Sequence, residues 1–313
     1  MAAQPQTPKI TDDSYPTLFT IADKASQDAQ RLFLRLVAAD LFFLIVGTIL
    51  SSISLCGGAP AGSINWPRVI ATGMGVTFGI SLCLTILLRT KKYERVWYGG
   101  RALAEAVRTM TWRYMTCAEP YTADLTPAAA DGKFAEALAA LITTRREAAL
   151  VTGVEMGSGR REITEDMRRA RQLDTVARRQ FYVKDRLEDQ VGWYGRRARL
   201  YQKREDAWFM LIMLAQFMAF VSALIYVQWY DRLPLNIISI FAALATVLFS
   251  WLQIKQYQEL AQSYSLTAHQ LDALLSGKAP HINTDAELSA FVIQVETIMG
   301  REHELWEIKR ERI

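Results

Sequence analysis

The chain has 313 residues, 51% of them hydrophobic, with 36 Lys and Arg against 32 Asp and Glu and a formal net charge of +4. So small an excess names no partner by itself, and the mean hydropathy just above zero averages over apolar stretches of about 20 residues and stretches as charged as a soluble helix. The three cysteines, Cys56, Cys83 and Cys117, cannot all pair and lack metal-ligand spacing, which excludes a disulfide framework and points to no metal.

Length suggests roughly two domains of ~150 residues. Residues 1–17 hold Pro5, Pro8, Pro16, Asp12 and Asp13 without a basic region before an apolar core, so they read as a flexible tail rather than a signal peptide. A bilayer core of ~30 Å needs about 20 apolar helical residues. The first such stretch runs from about Leu36 to Leu55, and its only acid is Asp40. The breaker-rich segment 56–67 turns the chain into a second stretch, Val69 to Leu88. Residues 89–117 are expected to continue that helix inward, with only Gly99-Gly100 as a breaker and Leu103, Val107, Met110 and Tyr114 as an apolar stripe. It ends before Pro120.

A helix is expected from Asp131 to Leu150, then a loop over 153–161. Thr164 is a good N-cap, followed by Glu165 and Asp166, and the spacing predicts one helix from there into a third apolar stretch, Ala207 to Val227. The turn WYDRLP (229–234) leads to a fourth stretch, Leu235 to Ile254. The exit helix after it breaks at Gly277-Lys278-Ala279-Pro280. The last helix, about 285–312, carries Leu288, Phe291, Val292, Val295, Ile298, Met299, Leu305 and Trp306 in a near-heptad pattern that wants a partner helix.

No alternating strand pattern occurs, so the expected fold is an all-α integral membrane protein. Four transmembrane helices form two hairpins that extend into a cytoplasmic helical bundle. Lys and Arg cluster outside the hairpins, at Lys24, Arg31, Arg35, Arg89, Lys91, Lys92, Arg95, Arg196, Arg197, Arg199, Lys203, Arg204 and Lys255, while the two connecting loops hold only Arg68 and Arg232. Both termini and the 95–205 segment are therefore expected in the cytoplasm, with Trp66, Trp229 and Tyr230 in the outer aromatic belt. Each half reads as basic juxtamembrane helix, hairpin and long exit helix carrying Tyr93 or Tyr257 just past the membrane, a weak internal repeat.

The stretch ITEDMRRARQ…RQFYVKDRLEDQVGWYGRRAR (163–199), leading into a hairpin, resembles the DUF4231 group of SLATT domains (SMODS and SLOG-associating two-transmembrane effectors). YERVWYGGRALAEAVRTMTWRYMTCAEPY (93–121), following its own hairpin, resembles a related SLATT class. The resemblance covers nearly the whole chain as a tandem pair. It organises the sequence as a tail (1–17), a first module (18–121), a connecting helix and loop (122–162) and a second module (163–313). It implies a membrane effector of bacterial anti-phage conflict systems, oligomeric, with a tetramer as the first expectation. The effector would form a pore in the inner membrane, gated by a nucleotide or oligonucleotide from a partner nucleotidyltransferase, and its opening would depolarise the infected cell.

Enzyme motifs are missing: there is no HExxH, GxxxxGK[ST], GxSxG or CxxC, and His269, His281 and His303 are scattered. No catalytic residue, metal or cofactor is expected. Residues 160–204 instead hold fourteen Lys or Arg and seven acids, a local excess larger than that of the whole chain. In one helix, Arg168, Arg169, Arg171, Arg178, Arg179 and Arg186 would bring several guanidiniums along a face, with Arg196 and Arg197 further on. Guanidinium forks grip phosphate, and Phe181, Tyr182, Trp193 and Tyr194 could stack bases, which suits a nucleotide site. The same residues equally suit a lipid anchor or ion pairs within the fold.

Within the spans, Gly73, Gly75 and Gly79 suit close helix packing or a hinge. Ser81, Gln216, Ser222 and Thr246 suit interhelical hydrogen bonds or a pore lining. Asp40 is the ionisable group at membrane depth, a functional candidate or one that reaches headgroup water or Arg35. The alternative to a pore is a non-conducting membrane-anchored scaffold or sensor for a cytoplasmic partner protein.

Overall fold

The structure is a computed structural model and describes residues 8–53, 65–144, 162–229 and 236–310, with side chains to residue 300. The described residues are helical, without strands, and four helices are long and apolar enough to cross a membrane. In chain order they are α1 (Thr17–Ser51), α2 (Trp66–Lys91), α3 (Tyr93–Met115), α4 (Pro127–Thr144), α5 (Glu165–Arg171) and α6 (Thr175–Tyr182). A π-helical segment, Val183–Glu188, leads into α7 (Asp189–Trp229), followed by α8 (Ile237–Lys255), α9 (Tyr257–Gly277) and α10 (Asp285–Arg310). Of the predicted hairpin loops, 54–64 and 230–235 lie outside the described residues, as does the predicted loop at 153–161.

The chain divides into two compact units. One comprises Arg31–Tyr93 and Arg199–Ala261 and holds the apolar hairpins; the other comprises Met1–Gln30, Glu94–Ala198 and Gln262–Ile313. In the hairpin unit α1 and α2 approach closely at Gly47, where a Cβ would lie 2.8 Å from the Phe78 ring and 3.2 Å from the Thr77 hydroxyl. A side chain there would have to displace the Phe78 ring. Gly73 faces Leu50 at an ordinary 3.4 Å, whereas Gly75 and Gly79 have open space where a Cβ would stand. The second and fourth spans begin alike and end alike. Asn65 and Asn236 cap α2 and α8 by accepting from the N–H groups of Arg68 and Ser239.

At the far ends, Lys92 (φ 47°) and Gln256 (φ 49°) adopt the left-handed conformation, each directly before Tyr93 or Tyr257. The expectation of uninterrupted exit helices is corrected here: both break at a non-glycine residue, while Gly99 and Gly100 lie inside α3. The break recurs at the same point of each half, giving the internal repeat a structural form.

In the helical unit, Gly100 lets α3 lie against α1. A Cβ there would meet the Ala22 carbonyl oxygen at 3.0 Å and Ser26 Cβ at 3.1 Å, and the Ser26 hydroxyl donates to the Trp97 carbonyl at 2.8 Å. The predicted stripe of α3 holds, with Leu103, Val107 and Tyr114 buried. Residues 8–16, read as part of a tail, are ordered against the unit. Pro8 is buried, the Ser14 hydroxyl donates to Asp166 at 3.0 Å, and the Tyr15 ring packs tilted against Phe19 while its hydroxyl accepts from Trp112 Nε1 at 3.0 Å. α4 starts earlier than expected, at Pro127, because Thr126 caps it and proline suits the first helical position. The partner for the α10 stripe lies within the chain: Phe291 meets Tyr182 edge-on, ring centres 6.3 Å apart. Leu305 and Trp306 fall beyond the described side chains.

Candidate functional site

The basic stretch does not form the single helix that its spacing predicts. Thr164 caps α5, and Asp174 caps a new helix, α6, by accepting from Ala177 N–H at 2.8 Å. The cap at Asp174 ends the first run at Gln172–Leu173, so Arg168 and Arg171 lie on a different helix from Arg178. The π segment shifts the register again before α7.

Most of the candidate cations are engaged within the fold. Arg171 donates to the carbonyls of Tyr114 (3.1 Å), Tyr121 (2.6 Å) and Thr122 (2.8 Å) and lies over the Tyr114 ring, so it ties down the chain leaving α3. Arg179 donates to the Ile282 carbonyl. Arg178 is buried and pairs with Asp285 at 3.1 Å, leaving its Nε and Nη1 unpartnered among the described residues. Cys117 lies near this guanidinium, and burial pushes its thiol up despite the neighbouring charge.

Arg186 is the most enclosed. Its Nε and Nη2 donate to the two oxygens of Glu296, each at 3.0 Å, with Arg186 4% and Glu296 1% exposed. The Tyr182 hydroxyl (3.0 Å) and the Thr109 hydroxyl (2.8 Å) complete the shell of that carboxylate. Burial alone would lower the Arg186 pKa, but the charge and hydrogen bonds of Glu296 outweigh it and the net shift is upward. Tyr182 is fully buried, and burial foremost holds its phenol well above the usual value.

What stays accessible is a smaller set. Arg168 is 44% exposed while paired with Asp131 and Glu165, each at 3.0 Å; Arg169 is 66% exposed and 3.7 Å from Asp166. Arg196 is exposed. Trp193 is half-buried, with Tyr264 5.4 Å from its ring and the Arg197 guanidinium 5.5 Å over it, while Tyr194 is buried against the same Tyr264. Exposed guanidiniums beside acids can exchange those partners for a phosphate at little cost.

Within the hairpin unit the structure brings Asp40 and Ser81 together, the hydroxyl donating to the half-exposed carboxyl. Thr246 bonds back to the Ala242 carbonyl at 2.9 Å. Ser222 is half-buried, and Gln216 is exposed with no hydrogen bond among the described residues. Sequence reasoning missed Glu296, Asp285, Asp131 and Gly47. A signal existed for Glu296, which interrupts an apolar stripe between Val292 and Met299.

Two family models match. The one described as SMODS and SLOG-associating 2TM effector domain 3 covers residues 16–179, and the one described as SMODS and SLOG-associating 2TM effector domain 1 covers residues 182–306. The first match includes α5 and part of α6, and the second begins at Tyr182 just ahead of the π segment. No curated protein and no solved structure matches the chain.

Proposed function

The chain belongs to the family of SMODS and SLOG-associating two-transmembrane effectors, two domains in tandem, and from that premise we propose that it is an oligomeric pore-forming effector of bacterial anti-phage defence. It sits in the inner membrane with both termini in the cytoplasm. A nucleotide or oligonucleotide made by a partner nucleotidyltransferase gates it, and opening depolarises the infected cell. The observation that carries this reading is how little the spans bury within one chain: the apolar windows of the four helices are 11%, 11%, 11% and 6% buried. Lipid covers apolar side chains, but it satisfies neither the half-exposed Asp40 carboxyl nor the Gln216 amide. Several copies satisfy both, Asp40 at a water-filled axis and Gln216 at the contact between copies.

For the ligand, the reading uses the accessible cations Arg168, Arg169 and Arg196 rather than Arg171, Arg178 and Arg186, whose replacement would disturb the fold. The test is binding of short linear and cyclic oligonucleotides to the full-length protein in detergent. Replacing Arg168, Arg169 and Arg196 together by Gln should weaken binding at least tenfold and leave the thermal midpoint unchanged. Unchanged binding in that variant would place the ligand elsewhere or remove it. One observation favours a second reading, a non-conducting scaffold for a cytoplasmic partner protein. Internal use of Arg171, Arg178, Arg179 and Arg186 leaves the helical unit fewer cations for phosphate than its charge suggests.

A further inference from the structure

We propose that copies of this chain meet in the membrane along one face of α7, the face of Phe209, Met213, Gln216, Phe220 and Val227, with the Gln216 amides joined at its centre. This rests on the oligomeric reading above and names the surface that makes the oligomer.

The spacing is that of a coiled-coil seam. From Phe209 the intervals are four, three and four residues to Phe220, and Ala223 divides the rest into three and four. The four apolar members turn away from their own chain: Phe209 is 52% exposed, Met213 49%, Phe220 59% and Val227 80%, while Ile212 and Ala215 beside them are buried. Apolar exposure alone would not choose this face, because lipid covers it as well as protein does, and Leu211 and Leu214 on the opposite side are also exposed.

Gln216 makes the choice. It stands near the middle of the third span, and its amide presents two donors and an acceptor. Left in hydrocarbon, an amide without partners costs several kcal/mol. Hydroxyls elsewhere in the spans avoid that by bonding to their own helix: Thr72 to the Arg68 carbonyl at 2.8 Å, Thr246 to Ala242 and Ser250 to Thr246, both at 2.9 Å. Gln216 makes no such bond among the described residues.

The occupant follows from the amide itself. It is donor and acceptor at once, so the same residue at the same depth satisfies it. Copies inserted the same way up are related by an axis along the membrane normal, which brings every Gln216 to one level. One polar layer in an apolar seam also fixes register and copy number. The seam is bounded on the chain: the next position in its register toward the N-terminus is the exposed Asp206, which belongs in water.

The test is a scan of single cysteines along α7 of the full-length chain, in native membranes, with Cys56 and Cys83 replaced by Ser and the buried Cys117 retained. Oxidation should give covalent dimers from positions 209, 213, 216 and 220 and none from 211 or 214. Dimers centred on 214, or yields without the four-and-three rhythm, would overturn the proposal. So would a cysteine at 216 that a water-soluble thiol reagent modifies fully but oxidation does not join. In a detergent dilution series, Gln216→Leu should weaken association about tenfold, the value of roughly 1–2 kcal/mol per interhelical hydrogen bond, and Gln216→Asn should retain most of it. Unchanged association in Gln216→Leu would refute the polar layer. An oligomer joined through another face defeats this inference alone, whereas a monomer in membranes defeats the oligomeric reading beneath it.

Discussion

Removing the Glu296 carboxylate isolates a buried cation, and the consequence follows from the contacts. Glu296 receives four hydrogen bonds, two from Arg186 and one each from Tyr182 and Thr109, in a site where both charged side chains are under 5% exposed. In Glu296→Ala the Arg186 guanidinium keeps its burial and loses its counterion. Breaking such a pair from one side costs about 3–5 kcal/mol. For a domain of this size that lowers the thermal midpoint by about 6–20 °C. The double variant Arg186→Met/Glu296→Leu replaces the pair by apolar groups of similar volume and should recover most of the loss. The assay is thermal unfolding of the full-length protein in detergent followed by tryptophan fluorescence. Trp112 serves as a reporter because its ring packs 5.7 Å from Tyr182. A midpoint in Glu296→Ala within about 2 °C of wild type, a difference under ~1 kcal/mol, would refute the reasoning. A double variant no better than the single one would do the same.

Gly100→Ala should destabilise the helical unit by about 1–3 kcal/mol, since its methyl would press on α1 backbone, whereas Gly132→Ala, exposed on α4 with open space around it, should stabilise by about 0.5–1 kcal/mol; thermal midpoints of opposite sign check both. In the hairpin unit Gly47→Ala should lower the midpoint and Gly75→Ala should raise it slightly, because only the first crowds Phe78 and the second has the same open space as Gly132. Lys92→Gly and Gln256→Gly should each stabilise by about 1 kcal/mol by relieving the left-handed conformation, and Lys92→Val should destabilise, again read from the midpoint. Burial pushes the Tyr121 phenol up to about 12. The proton is held more tightly in the folded state, so its contribution to stability is full below the ordinary phenol value of ~10 and is lost as pH rises toward the folded value. An ultraviolet tyrosinate titration should show one late-ionising phenol fewer in Tyr121→Phe than in the wild type, where burial also delays Tyr114 and Tyr182.

Fold class was legible because it rests on local properties. Runs of about 20 apolar residues between charged helices imply spans, and the stripes at Leu103–Tyr114 and Leu288–Met299 mark buried helix faces whatever they pack against. The breaks at Lys92 and Gln256 were not legible, since no residue preference announces a left-handed lysine or glutamine. The role of the arginines was hidden for a different reason. Arg186 finds Glu296 at 110 residues' separation and Arg178 finds Asp285 at 107, and no local pattern tells a buried pair from a phosphate fork. Among the glycines, the spaced pair Gly75 and Gly79 drew attention by pattern. Close approach instead occurs at Gly47 and Gly100, where a crossing helix decides.

The most direct test of a ligand-gated pore is ion flux from liposomes carrying the full-length protein, with and without short linear or cyclic oligonucleotides. A pore of this kind releases ions in one ligand state and holds them in the other, with the response abolished when Arg168, Arg169 and Arg196 are replaced. An intact oligomer that passes no ions in any ligand state would contradict it and leave the scaffold reading in its place.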